Sequence, residues 1–192
     1  MILYHYSVDS YTGDPSLIND YGGHFRFTEP MLLALERGRE TFYGAFYAAM
    51  YFSRELCDMK LRKYENYKKD AVEAVFEYVR RTRFADDSVS RQICVYYCDS
   101  IDAAKAYMYD DCLADGNFQK EQVKLLEVEV DAARVYRYDQ TFYNRAIEAA
   151  ERGDIDAAFS LAERYFAKDR SETPLIEILS DGENHVLREI TF

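Results

Sequence analysis

The chain opens on an alternating pattern. Ile2, Tyr4, Tyr6 and Val8 interleave with Leu3, His5 and Ser7, the two-residue period of a strand whose side chains point to opposite faces. A loop is expected next, carrying Thr12-Gly13-Asp14-Pro15 and Gly22-Gly23. Glu29-Pro30 predicts the start of a helix through Leu35, because the fixed φ of proline suits a first helical turn, and Gly38 is placed to end it. Residues 39–83 read as mostly helix, interrupted between Cys57 and Asn66, where charges crowd and apolar spacing lapses. In its later part Ala71, Val72, Val75, Phe76 and Val79 form one apolar stripe. A turn at 84–88 leads to a strand at 92–97, with Asp99 or Ser100 capping a helix through Tyr107.

After a turn at Asp115-Gly116-Asn117, Leu126, Val128 and Val130 alternate with Glu127 and Glu129, the mark of a strand with one wet face. Residues 141–151 and 154–166 read as two helices, divided by Gly153 and with Asp154 as a cap. Strands at 175–179 and 186–190 close the chain, and Asp181-Gly182 between them is a hairpin-type turn signal. There is no internal repeat, low-complexity run or linker. The order of elements predicts an α+β fold in a single domain spanning 1–192.

Composition narrows the function classes. Hydrophobic residues make up 48% and charged residues 31% of the 192, a globular balance that excludes a disordered chain or a disulfide miniature. The net charge of −11 repels phosphates, so nucleic acids and anionic membranes are poor partners. The longest apolar stretch, 42–52, falls short of the ~20 residues a membrane span needs. No targeting signal is apparent at the N-terminus. Cys57, Cys94, Cys98 and Cys112 form no CxxC pair and no metal-ligand spacing with histidine. They read as reduced thiols of a cytoplasmic protein without a metal.

Four places can carry chemistry. His5 sits mid-strand, where it is either a backbone-bonded histidine or a ligand contact at a sheet edge. Tyr96 and Tyr107 flank a strand-to-helix turn, where a tyrosine can stack on a flat ring or serve only as core. Glu177 is a lone carboxylate in the aliphatic run Pro174-Leu175-Ile176-Glu177-Ile178-Leu179; buried, it must be paired, cleft-facing or raised in pKa. Arg91, in Ser90-Arg91, can clamp a phosphate or stand solvated at a strand start. Dinucleotide-binding glycine loops, Walker loops, nucleophile elbows and zinc-protease motifs are absent. Asp9 and Asp14 lack calcium-loop spacing, and His24 and His185 have no evident partners in the sequence.

The order of His5 in the first strand, Tyr96 before a helix and Glu177 in a late strand resembles the His-Tyr-Glu signature of ADP-ribosyltransferase folds. Leu3-Tyr4-His5-Tyr6-Ser7 is similar to the first-strand motif, and 95–107 resembles the second motif of the poly-ADP-ribose polymerase branch. The whole chain looks still more like a bacterial family of uncharacterised domains with this fold. That likeness rests on Phe76-Glu77-Tyr78-Val79-Arg80, Phe84, Ser90-Arg91 and Asp99-Ser100, and on Ala162-Glu163-Arg164-Tyr165-Phe166 leading to the Glu177 strand.

The resemblance implies a split, bent, mainly antiparallel sheet with helices around it. It also implies chemistry on NAD, in which the nicotinamide–ribose bond breaks through an oxocarbenium-like state and ADP-ribose is transferred or NAD hydrolysed. On that reading Glu177 stabilises the developing charge, His5 bonds the adenosine ribose, Ser7 adds a contact in the same motif, and Tyr96 and Tyr107 shape the nicotinamide end. A place for Arg91 near the pyrophosphate is an added expectation, outside the resemblance. The alternative is a catalytically inactive ligand- or protein-binding module on the same fold. A third reading is a purely structural or interaction protein with no pocket. Two departures stand out: Tyr6 occupies the place of the family's usual glycine after the histidine, and Leu175 stands where arginine-modifying relatives carry glutamate.

Overall fold

The computed structural model describes residues 1–8, 13, 15–17, 22–61, 67–114, 116 and 118–191, without the side chains of 22–27 and 111. The expectations that rest on Asp9, Thr12, Asp14, residues 62–66, Asp115 and Asn117, and on the side chain of His24, lie outside the described residues.

The chain runs β1 (Ile2–Val8), α1 (Gly22–Glu36), α2 (Arg39–Asp58), α3 (Tyr67–Arg83), β2 (Val95–Tyr97), α4 (Ile101–Met108), β3 (Val123–Val130), β4 (Val135–Asp139), α5 (Gln140–Glu151), α6 (Ile155–Phe166), β5 (Ile176–Ser180) and β6 (Asn184–Ile190). The fold is α+β, with two small antiparallel sheets ordered β1-β3-β6 and β2-β5-β4. The chain divides into two compact units. One is built from Met1–Asn19, Cys94–Arg137 and Glu177–Phe192, the other from Asp20–Ile93 and Tyr138–Ile176.

In the first unit the alternation of β1 meets that of β3 along a register from Ile2↔Glu129 to Val8↔Val123. One face carries Leu3, Leu126, Val128 and Val130, which pack with Val95, Tyr97 and Ile178. The opposite face carries Leu125, which packs with Tyr4, Cys98 and residues of α4. Ser100 caps α4 by accepting the Ala103 amide at 3.2 Å, as the sequence suggests. β1 and β2 meet at one isolated bridge, where Tyr4 and Cys98 exchange both backbone bonds, at 2.9 and 2.8 Å.

The second unit is helical around aromatic residues. Phe76 of α3 meets Tyr143 at 5.3 Å and Tyr165 at 5.2 Å between centroids, and Tyr138 stacks on Tyr165 at 4.4 Å. Asp154 caps α6 through the Ala157 amide at 3.0 Å. Asp139 caps α5 and ties down the segment after α6. Its carboxylate accepts the amides of Thr141 at 3.0 Å, Ser171 at 2.7 Å and Leu175 at 3.0 Å.

Three expectations are corrected and one strand is added. α1 begins at Gly22, so Pro30 lies inside it. Gly22-Gly23 falls in the first turn, where amides lack intrahelical partners anyway and the low helix propensity of glycine costs least. The strand at 92–97 shortens to Val95–Tyr97, because Ser90 draws the preceding backbone into a turn by accepting from the amides of Gln92 and Ile93. β4 was not anticipated. Finally, β5 and β6 do not form a hairpin: β5 pairs with β2 and β6 with β3. The link at Gly182 packs instead against Arg134, whose Cβ would lie 2.6 Å from a Cβ added at Gly182.

Candidate functional site

The alternation of β1 sets the site. His5 shares the face of Leu3, and its ring meets that of Tyr97 edge-on at 6.0 Å between centroids. Its Nδ1 lies 2.8 Å from the carbonyl oxygen of Tyr96. A carbonyl only accepts, so Nδ1 carries the proton and the neutral ring keeps its acceptor lone pair on Nε2. Burial pushes the pKa of His5 below its usual value, with the Tyr96 bond acting in the opposite sense. The imidazole is therefore kept neutral. Its Nε2 has no hydrogen-bond partner among the described residues.

Glu177 lies on β5 and Tyr107 on α4. Glu177 is the residue before Ile178, whose partner across the ladder is Tyr97. Ile178 and Tyr97 share the packed face with Leu3, so strand alternation turns Tyr96 and Glu177 to the face opposite His5. Glu177 is only 6% exposed. Tyr107 packs on the Tyr4 side, with Cys98, Ala104 and Leu125. Ser7 is buried near the end of β1, opposite Lys124. Thus the structure brings His5 to the backbone of Tyr96 and leaves the Glu177 carboxyl on the other face.

Arg91 belongs to the helical unit. Its guanidinium lies 3.9 Å from the centroid of Tyr143, donates to the Tyr165 hydroxyl at 3.0 Å and pairs with Glu73 at 3.3 Å. It is 7% exposed. A delocalised cation stacked and bonded in this way is desolvated at modest cost. Glu77 is a second buried charge there. Burial alone would raise its pKa, but bonds from Arg80 and Arg81 hold it below the ordinary carboxylate range. Reading by motif missed this network. Its visible signal is the spacing of Asp70, Glu73, Glu77 and Arg80, which puts four charges on one side of α3 beside the apolar stripe.

The family model described as a protein of unknown function (DUF2441) matches residues 19–192. The chain belongs to the DUF2441 family. No curated protein matches it. The DUF2441 match takes in Arg91, Tyr96, Tyr107 and Glu177 and begins after β1, which carries His5 and Ser7.

Two hollows are lined by described residues. In the helical unit of this DUF2441 chain a cavity of about 240 Å³ is lined by Arg39, Tyr78, Thr82, Arg83, Phe159 and Glu163, among others. Its two arginines are held by carboxylates, Arg39 by Asp156 and Arg83 by Glu163. In the sheet unit a groove of about 400 Å³ runs past Met1, Glu129, Asp131, Glu183 and His185. Among the described residues no group of three histidine, cysteine or carboxylate side chains is placed to hold a metal ion. No described helix is long and apolar enough to cross a membrane.

Proposed function

We propose that the chain is a nucleotide-binding module on an ADP-ribosyltransferase-like split sheet, with NAD or its ADP-ribose portion as the ligand class. The observation that carries this reading is the neutral His5 imidazole, fastened by Nδ1 where two sheets meet at a single bridge. Its Nε2 is suited to accept a hydrogen bond from a ribose hydroxyl. The two-sheet arrangement, bridged at Tyr4 and Cys98, supports a split sheet of this kind. The opposed faces of His5 and Glu177 favour binding over catalysis, because a carboxylate must lie beside the ribose carbon to stabilise its developing charge.

Titration calorimetry with NAD and with ADP-ribose is the test. Saturable heat, lost in His5→Ala and kept in Glu177→Gln, is expected. No heat with either ligand at millimolar concentration would remove the nucleotide reading and leave a protein-interaction domain. The catalytic reading retains one observation in its favour, the buried carboxylate of Glu177 in an aliphatic strand. Release of nicotinamide from NAD that disappears in Glu177→Gln would establish it.

A further inference from the structure

We propose that the cavity in the helical unit is a further ligand site, shaped for a small monocarboxylate with an apolar body. It uses none of the residues of the nucleotide reading and is independent of it. Helical spacing builds the wall. Tyr78, Val79 and Arg83 of α3 lie at i, i+1 and i+5, and Phe159 and Glu163 of α6 lie one turn apart, so each set shares one helix face. Val79 and Phe159 are buried and form an apolar base with Leu35 of α1. Tyr78 meets Phe159 edge-on at 6.2 Å between centroids. Arg39, Arg83 and Glu163 supply the charge, with side chains 58%, 59% and 40% exposed. The cavity holds about 240 Å³. An apolar cavity of about 150 Å³ takes benzene, so one ring and a carboxylate fit here. Drug-sized ligands occupy about 300–1,000 Å³, so a dinucleotide is too large.

The charges select the ligand. Among the described residues Arg39 has one ion-pair partner, Asp156 through Nη1, and Arg83 has one, Glu163 through Nη1. A guanidinium carries five N–H donors in a planar fork, so each arginine keeps donors to spare. Arg39 also lies 4.5 Å from the centroid of Phe159, a contact that consumes no N–H donor and sets the cation beside the apolar base. A carboxylate is the planar acceptor that such a fork binds bidentately. The lining carries two arginines and one glutamate, a local excess of positive charge in a chain of net −11. Asp156 stands outside the lining and is 68% exposed, where solvent and salt screen it. One negative charge therefore suits the site. A phosphate monoester, at about −1.5 to −2, brings excess charge against Glu163, and an amine meets two guanidiniums. Exposed ion pairs contribute little, so Arg83 exchanges Glu163 for the ligand at small cost.

Titration of the full chain with 3-phenylpropanoate, followed by amide chemical shifts, tests the site. Saturation is expected with a dissociation constant of about 1 mM or tighter, and with shifts centred on residues 78–83 and 159–163. 2-Phenylethylamine, which lacks the carboxylate, should not bind, and phenyl phosphate should bind more weakly. Arg39→Gln and Arg83→Gln should each weaken binding by about threefold or more. Glu163→Gln should tighten it, because the variant removes the repelling carboxylate and releases Arg83. A general loosening of the fold would not produce that opposite sign. All three side chains are solvent-exposed, so the circular dichroism spectrum should be unchanged in each variant. Absence of saturation at about 10 mM overturns the proposal. So does equal affinity for the amine, binding that both arginine variants leave unmoved, or binding in Glu163→Gln that is no tighter. The NAD titration reads His5 in the sheet unit, so the two readings fail separately.

Discussion

A histidine whose Nδ1 is tied to a carbonyl has its proton placed for it, and in His5 that bond to Tyr96 is joined by burial that lowers the ring's pKa from 6.5. A base with a depressed folded pKa binds fewer protons folded than unfolded, so stability rises with pH between the two values. The urea midpoint should therefore fall between about pH 7.5 and about pH 5.5, and His5→Gln should flatten that part of the profile. An unchanged slope in the variant would mean that another group titrates there. Asp139 is the mirror case among acids. Burial works to raise its pKa, but the bonds from Ser171 and Thr141 hold it at about 2. The stability it adds is present above the unfolded carboxylate value and lost as pH falls toward 2. Asp139→Ala should cost about 2 kcal/mol by denaturant titration, since it removes the acceptor shared by three partly buried amides. The cap on α5 was open to a reader of Asp139-Gln140-Thr141. The bonds to Ser171 and Leu175 were not, because those residues become neighbours only on folding.

Elements whose pattern is local were readable. β1 and β3 follow their alternation, and α5 and α6 follow their stripes and the cap at Asp154. Elements defined by a distant partner were not. Asp181-Gly182 resembles a hairpin turn because turn chemistry is encoded in two residues, whereas the choice of β2 for β5 and of β3 for β6 is made by faces far apart in the chain. β4, only five residues long, carries Tyr136, Arg137 and Tyr138 between a turn and a helix and gives little periodicity to count. Among the candidate residues, His5 and Tyr96 lie on strands, as their alternation predicts. Their joining through a backbone carbonyl, and the turn of Glu177 to the other face, depend on register and lie beyond pattern. The β5–β6 link yields its own prediction. Gly182→Ala forces a methyl against the Cβ atoms of Arg134 and Asp131, and neither can swing away like a side-chain tip. Arg134 is held further by two bonds to Asp181, at 3.0 and 2.5 Å. A loss of about 1–3 kcal/mol is expected from thermal melts, and a neutral result would show that the link repacks freely.

At the scale of the whole molecule, the division of the chain decides what a truncation removes. The sheet unit is assembled from three segments and the helical unit from two, so neither is a contiguous stretch. Ending the chain at Ile176 deletes β6 and nearly all of β5. β3 then keeps only β1, and β2 loses its ladder partner. A two-stranded ribbon is marginal in water, so the first unit should lose its ordered sheets. All of α1, α2, α3, α5 and α6 remain, as do the ring contacts among Phe76, Tyr138, Tyr143 and Tyr165 that fill their core. The truncated chain should therefore retain most of its helical circular dichroism and a cooperative melt. By hydrogen exchange, the amides of β1 and β3 should lose protection while those of α3 and α6 keep it. Simultaneous loss of protection in α3 would mean that the two units fold as one cooperative body. In that case the sheets would be a condition of the helical core and not an addition to it.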